Sequence, residues 1–454
     1  MAEKRVVELG GACVPADQGL SSLGLLMQLA GTLFAAAGAL LAFWSLFAMH
    51  GSGQTLWVLV LLAMSIGRSV LHRSAGTQLL YGTPSTDGKH QRMAGIRRYI
   101  GFSIMHTALA VAMFGGKFHA PGKIVLGLGL GLAVWPAVLA IVMAMPRFAR
   151  FKHELPLAED KGFEGAAILM TMMGLCGLAI SGGLFLVWVD AKWTAVSKGP
   201  GVLVALGVAV LVLRSILHLQ AGISGLRETS VDHSVELTNR YANFGVISSF
   251  CVGGALLMFV MWGQLGVPGL ALICVACWML VAWPLIIRRF YGDRQFADLL
   301  AGDDAPLHHR APDAGVTGLG WLLVAHAALT ASLLVFQLAV GDDAGGAVKQ
   351  LMPEAARSLW FSVGIVVLEA WTGFELVRMS PQSRAIANVF GVVGTAVTLY
   401  VDWPMLHAMR KLTLGWSSSL LYLPIVLALI IPVATLLLVN RKIAPTARAR
   451  FKRR

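Results

Sequence analysis

The stretch Gly207-Val-Ala-Val-Leu-Val-Leu-Arg214-Ser-Ile-Leu-His218-Leu-Gln-Ala-Gly222-Ile-Ser-Gly225 decides how the chain is read. It is apolar enough to sit in a bilayer, yet it carries Arg214 and His218 four residues apart, a spacing that puts both on one helix face. The pattern occurs earlier as Arg68-Ser69-Val70-Leu71-His72 followed by Ala75-Gly76, matching Arg214-Ser215-Ile216-Leu217-His218 followed by Ala221-Gly222. Ionisable heads inside an apolar helix are costly, so their recurrence points to a repeated membrane unit.

Composition agrees. Of 454 residues, 57% are apolar and only 13% charged, and mean hydropathy is +0.73. Soluble domains carry roughly 25% charged residues. A membrane span needs about 20 mostly apolar residues, and twelve such runs are expected: 23–49, 55–72, 99–114, 124–145, 165–189, 201–225, 242–262, 267–287, 316–340, 359–377, 385–407 and 417–440. The third is short and is expected to extend into its flanks. Residues 1–20 mix acids and bases with no apolar core after a basic start, so the first helix is expected to be its own insertion signal. The fold class is therefore all-α, a polytopic membrane protein of about twelve transmembrane helices in three parallel four-helix repeats.

The net charge of +13 is unevenly distributed. With twelve spans both termini share a side, and that side's tails and loops hold 26 Lys and Arg, against 8 in the opposite loops. The positive-inside rule makes the basic side cytoplasmic, which predicts a bacterial-type inner (plasma) membrane protein, multi-pass, with both termini inside. The expected partners are membrane lipids including anionic headgroups and other proteins in the membrane. Nucleic acid is excluded, because no soluble domain presents a basic face.

The repeat divides the chain into a cytoplasmic tail (1–22), unit 1 (23–151), unit 2 (163–296), a more divergent unit 3 (315–442) and a basic tail (443–454). Arg98-Tyr99 corresponds to Arg240-Tyr241, and Arg147-Phe148 to Arg289-Phe290, both at an offset of 142. Arg68 and Arg214 are 146 apart, and Trp135-Pro136 and Trp283-Pro284 are 148 apart, so the fourth helices align only with gaps. In unit 3, Ala387-Asn388-Val389-Phe390-Gly391-Val392 resembles Ala242-Asn243-Phe244-Gly245-Val246 with one insertion, and Glu369 and Glu375 stand where the first two units carry Arg and His. Four spans per unit make the copies parallel, unlike inverted-repeat transporters, and leave either a pseudo-threefold ring or bundles side by side. The linkers Phe148–Glu164 and Tyr291–Gly315 read as solvated, and Ala347–Trp360 as a short interfacial helix.

The candidate substrate or ion-pair residues are Arg68, His72, Arg214, His218, Glu369 and Glu375. Three roles compete for the arginines: snorkelling to headgroup phosphates, an ion pair with Glu369 across a shared axis, and a polar relay that binds an anionic substrate. His106, His326 and His407 would ligate a haem only if two faced each other, and His106 has no counterpart in unit 2, where Ser248 falls at the 142 offset. Asp402 in Asp402-Trp403-Pro404 reads as a backbone cap. Cys274-Val275-Ala276-Cys277 sits within a helix without a second pair and reads as packing, and Cys13 follows no apolar segment that would make it a lipoprotein site. No metal or other cofactor is expected. Many of the 50 glycines lie inside spans, where small residues let backbones approach closely.

No phosphate-binding loop, metalloprotease helix or nucleophile elbow is present, and no acid–base cluster suggests an enzyme. Two functions remain. Helix number and the polar groups inside spans point to a small-solute or ion permease or channel-like protein. Short loops, scarce mid-membrane charge and the divergence of unit 3 point to a non-transporting scaffold or regulatory subunit of a larger envelope complex.

Overall fold

The structure is a computed structural model. It describes residues 8–9, 12–13, 20–48, 53–81, 93–144, 163–190, 200–226, 231–261, 266–291, 314–340, 347–378, 380, 382–411 and 425–440. Apart from a two-residue antiparallel pairing of Glu8–Leu9 with Ala12–Cys13, every described element is a helix. In chain order these are α1 (Leu20–Ala48), α2 (Thr55–Tyr81), α3 (Ala94–Gly116), α4 (Gly122–Ala144), α5 (Phe163–Asp190), α6 (Pro200–Leu226), α7 (Val231–Met261), α8 (Gly266–Tyr291), α9 (Ala314–Val340), α10 (Ala347–Arg378), α11 (Ser383–Lys411) and α12 (Ile425–Asn440). Among the described residues, nine helices are long and apolar enough to cross a membrane. The protein is a polytopic, all-helical membrane protein.

The helices outrun the apolar stretches that announce them. α2 continues nine residues past His72, α3 starts five residues before Tyr99, and α7 begins at Val231, eleven residues before Ala242. Polar residues in these extensions are sheltered by neighbours: Ser234 and Thr238 of α7 are buried. The interfacial helix expected over Ala347–Trp360 is not a separate element. It is the first part of the 32-residue α10, which runs without a break from Ala347 through Pro353 into the span. Outside the described residues lie the linkers 148–162 and 292–313, the loop 82–92, Arg147 and the C-terminal tail, together with the side chains of Asp402, His407 and Cys274.

Three antiparallel pairs form the inner frame, and each closes on a glycine. A Cβ on Gly76 of α2 would come within 2.6 Å of the Gly24 carbonyl oxygen on α1. One on Gly222 of α6 would lie 2.5 Å from the Thr171 nitrogen on α5, and one on Gly373 of α10 would lie 2.8 Å from the Gly320 oxygen on α9. Only glycine permits that approach.

The leading helices of the pairs, α1, α5 and α9, also touch one another. They converge where Ser22, Gly165 and Gly318 meet. A Cβ on Gly318 would stand 2.7 Å from Ser22 Oγ and 2.9 Å from Gly165 Cα. Residues 20–25 of α1, 165–172 of α5 and 316–321 of α9 are buried on all sides, and burial falls away towards the other end of each helix.

Each of these helices also enters a neighbouring core. One apolar cluster holds residues of α1–α4 with Trp321 and Val324 of α9. A second holds residues of α5–α8 with Leu25 and Leu29 of α1. A third holds residues of α9–α12 with Ile168 and Met172 of α5.

Candidate functional site: two arginine–histidine clasps

Proline determines the local chemistry of α4 and α8. Pro136 and Pro284 lie inside these helices and have no N–H, so the carbonyl four residues earlier loses its helical donor. Those carbonyls belong to Leu132 and Leu280. In lipid, an unpaired carbonyl costs several kcal/mol, roughly. Arg68 supplies the missing donor to the first, its Nη2 lying 2.6 Å from the Leu132 oxygen. Arg214 does the same for the second, its Nη2 donating to the Leu280 oxygen.

One turn further along, the histidine engages the tryptophan next to the proline. Trp135 Nε1 donates to His72 Nε2 at 2.9 Å, and Trp283 Nε1 donates to His218 Nε2 at 2.9 Å. Indole nitrogen can only donate, so Nε2 accepts and the imidazole proton sits on Nδ1. The third helix adds a tyrosine face: His72 lies on Tyr99 with ring centroids 4.7 Å apart, and His218 stacks on Tyr241 at 4.1 Å with planes 7° apart. Each clasp thus joins three helices through Arg, His, Tyr and Trp. Arg68 also lies 5.9 Å from the Tyr99 ring centroid, within cation–π range.

Neither snorkelling nor an ion pair with Glu369 describes the arginines. Arg214 is only 8% exposed, and its guanidinium turns inward. Its Nη1 donates to the Gly245 carbonyl at 2.8 Å, Ser249 Oγ at 2.8 Å and Ser248 Oγ at 3.3 Å. Neutral acceptors satisfy it, which spreads the charge without a carboxylate.

Glu369 meets a different residue. Its Oε1 lies 2.8 Å from His326 Nδ1 on α9, with Glu369 itself buried. Glu369 stands one turn before Gly373, as His72 does before Gly76 and His218 before Gly222. By the same register Ile365 takes the arginine's place, so among the described residues the third set of helices shows no clasp of this kind. There α11 and α12 are tied by Arg384, which donates to Asn440 Oδ1 at 3.2 and 3.3 Å, and by Asn440 Nδ2, which donates to Asn388 Oδ1 at 2.7 Å. Glu375 lies near the end of α10, 3.8 Å from Arg378. Two glycines of α11 face Pro432 of α12: a Cβ on Gly391, which the sequence pattern aligns with Gly245, would lie 3.2 Å from the proline oxygen, and one on Gly394 would lie 3.1 Å from the proline Cβ.

The haem alternative finds no facing pair among the described side chains: His106 Nε2 meets Ser65 Oγ at 3.1 Å, and His326 is held by Glu369. Among the described residues, no group of three or more His, Cys, Asp or Glu side chains could hold a metal ion.

Reading the sequence missed Tyr99, Trp135, Tyr241 and Trp283 as partners of the histidines, and Ser248 and Ser249 as acceptors for Arg214. The signal was present in Leu132-Ala-Val-Trp135-Pro136 and Leu280-Val-Ala-Trp283-Pro284. What obscured it was that the three helices of a clasp recur at three different offsets. No known protein family, curated protein or solved structure matches the chain.

Proposed function

We propose that the chain is three four-helix units (23–151, 163–296 and 315–442) arranged as a ring about one axis along the membrane normal, and that it serves as a non-transporting membrane scaffold or regulatory subunit. The observation that carries this reading is the meeting of Ser22, Gly165 and Gly318. Counted from the pairing contacts of α1, α5 and α9, these three occupy the same register: Gln28 meets Gly76, Thr171 meets Gly222 and Val324 meets Gly373, each six residues beyond Ser22, Gly165 and Gly318 respectively. Equivalent residues meet at one point only on a symmetry axis. The exchange of the leading helices among the three apolar clusters runs in one rotational sense, as a ring requires.

The same contact argues against a solute path along that axis. Backbone and hydroxyl there are in van der Waals contact, which leaves no room for water. Each arginine that a permease would use for an anion donates through Nη2 to a proline-freed carbonyl, and Arg214 is satisfied by neutral acceptors as well. The permease reading keeps one favourable observation, the Glu369–His326 pair, whose histidine is 39% exposed. On the scaffold reading, proteoliposomes containing the protein pass protons, potassium and small carboxylates no faster than protein-free vesicles. Saturable uptake of any of these would restore the permease. The basic asymmetry places both termini, in this reading, on the cytoplasmic side of an inner membrane.

A further inference from the structure

The third set of helices holds the one buried carboxylate among the described residues. Glu369 is 2% exposed, and His326 of α9 meets it with Nδ1 2.8 Å from Oε1. No arginine or lysine pairs with it among the described residues. α9 packs against α1, α4, α5 and α10, and α10 also packs against α11. The other titratable groups with described side chains on these helices are Lys123 of α4, Cys176 of α5, Glu375 and Arg378 of α10, and Arg384 and Tyr400 of α11. None of them makes an ion pair or hydrogen bond with Glu369 or His326. Glu375 is turned to Arg378, and Arg384 to Asn440.

This pair is open where the clasps are shut. His72 and His218 are each 6% exposed, held between a tryptophan and a tyrosine. Counted from Pro432 and from Ala387-Asn388, isoleucines stand in the places of those rings, Ile431 and Ile386. The His326 side chain is 39% exposed. Its Nδ1 is bonded to the buried Glu369, and Nε2 is neither buried nor bonded among the described residues, so Nε2 is the open end. The depth is that of the headgroup layer. Glu369 shares its register with His72 and His218, on which Tyr99 and Tyr241 stack, and the residues before those tyrosines, Arg98 and Arg240, are exposed. Arg240 pairs there with Glu236, and both of these side chains are more than half exposed.

We infer that Glu369 and His326 form a proton-binding site, loaded through the imidazole from the basic side of the membrane. Imidazole can take a proton on one nitrogen and release one from the other. In the unloaded pair, Nδ1–H donates to the Glu369 carboxylate and Nε2 carries a lone pair. A proton from hydronium bonds to Nε2. The Nδ1–H bond then breaks, and its proton forms an O–H bond on Oε1. The product is a neutral carboxyl group that donates to Nδ1, with Nε2–H directed outward. The pair has gained one proton and lost its negative charge, which is the form that costs less beside hydrocarbon. Among the described residues, no further ionisable group adjoins Glu369 to carry the proton on. This inference goes beyond the scaffold reading and does not depend on it.

The test is infrared difference spectroscopy of the full chain in vesicles of zwitterionic lipid, stepped over about pH 4–9, a range that brackets ordinary carboxyl and imidazole titrations. One carboxyl C=O band per chain, shifted in heavy water, is expected to appear on acidification and to be missing in Glu369→Gln, while Glu375→Gln retains it. After a rapid drop in pH, the band of the parent forms about tenfold or more faster than that of His326→Asn, whose amide can hold Glu369 by a hydrogen bond but cannot relay a proton. The inference is overturned if Glu369→Gln gives the same difference spectrum as the parent, or if His326→Asn loads as fast as the parent. Should Glu369→Gln fail to accumulate, the His326→Asn rate decides alone. Steady proton flux across the vesicles would count against the scaffold reading and leave the site standing.

Discussion

If Arg214 exists in α6 to serve a carbonyl that Pro284 leaves unpaired, then removing the proline should cancel much of the cost of removing the arginine. In Arg214→Met, the Leu280 carbonyl loses the Arg214 donor, while Ser248 and Ser249 keep their bonds to the Gly245 carbonyl. A buried unpaired acceptor costs about 1–3 kcal/mol. Losing the three bonds made by Nη1 adds about 3 kcal/mol, and release from holding a guanidinium in the span offsets it by about 2.5–3.5 kcal/mol. The net expectation is a loss of about 2 kcal/mol. In the double variant Arg214→Met/Pro284→Ala, the introduced alanine supplies an N–H to the Leu280 carbonyl, and the helical bond re-forms. The double variant should recover about 1–2 kcal/mol relative to the sum of the single variants. Loss of the Gly245–Pro284 contact enters both Pro284→Ala legs of the cycle and cancels. Equilibrium unfolding of the four proteins in one detergent measures the coupling. Additive losses within about 0.5 kcal/mol would refute the claim that arginine and proline form one device.

Other consequences are as specific. Gly222→Leu would drive a side chain into the backbone of Thr171, 2.5 Å from where its Cβ would sit, so it should lower stability by about 3 kcal/mol or prevent accumulation, while Gly182→Leu, with open space around it, should be silent in the same expression and unfolding assays. His218→Ala removes the acceptor of the Trp283 indole and a stacked ring from Tyr241, for an expected loss of about 2–3 kcal/mol. His218→Gln keeps an acceptor and should lose less, with Trp283 emission closer to that of the parent. Reporter fusions at Arg454 and at Gly345 should report opposite sides of the membrane, as the basic asymmetry requires.

The sequence carried the helices and the intramembrane Arg–His pairs, because apolar length and residue spacing are local properties. It did not carry the direction in which Arg68 and Arg214 turn. Snorkelling and inward capping have the same local pattern, and the acceptor that decides between them is a carbonyl about 65 residues away, freed by a proline on another helix. Tyr99 and Trp135 were visible as recurring landmarks, yet loops of unequal length gave them different offsets from their counterparts, so they looked like misaligned helix ends. Glu369 was expected opposite an arginine because opposite charges attract. The register of α9 on α10, fixed by Gly320 and Gly373, brings it to His326 instead.

The most direct measurement of the central claim is a disulfide at the meeting point of the leading helices. In a chain whose five native cysteines are replaced by alanine, Ser22→Cys and Gly318→Cys place two Cβ atoms about 3.4 Å apart, close to the separation a disulfide requires. After mild oxidation and cleavage at a protease site inserted in the 292–313 linker, the ring predicts two fragments that stay joined until reduced. The control pair Ser22→Cys/Gly364→Cys, with Gly364 in open space, should separate without reduction. Free fragments from the Ser22→Cys/Gly318→Cys chain, in protein that is folded in the membrane, would contradict a common axis.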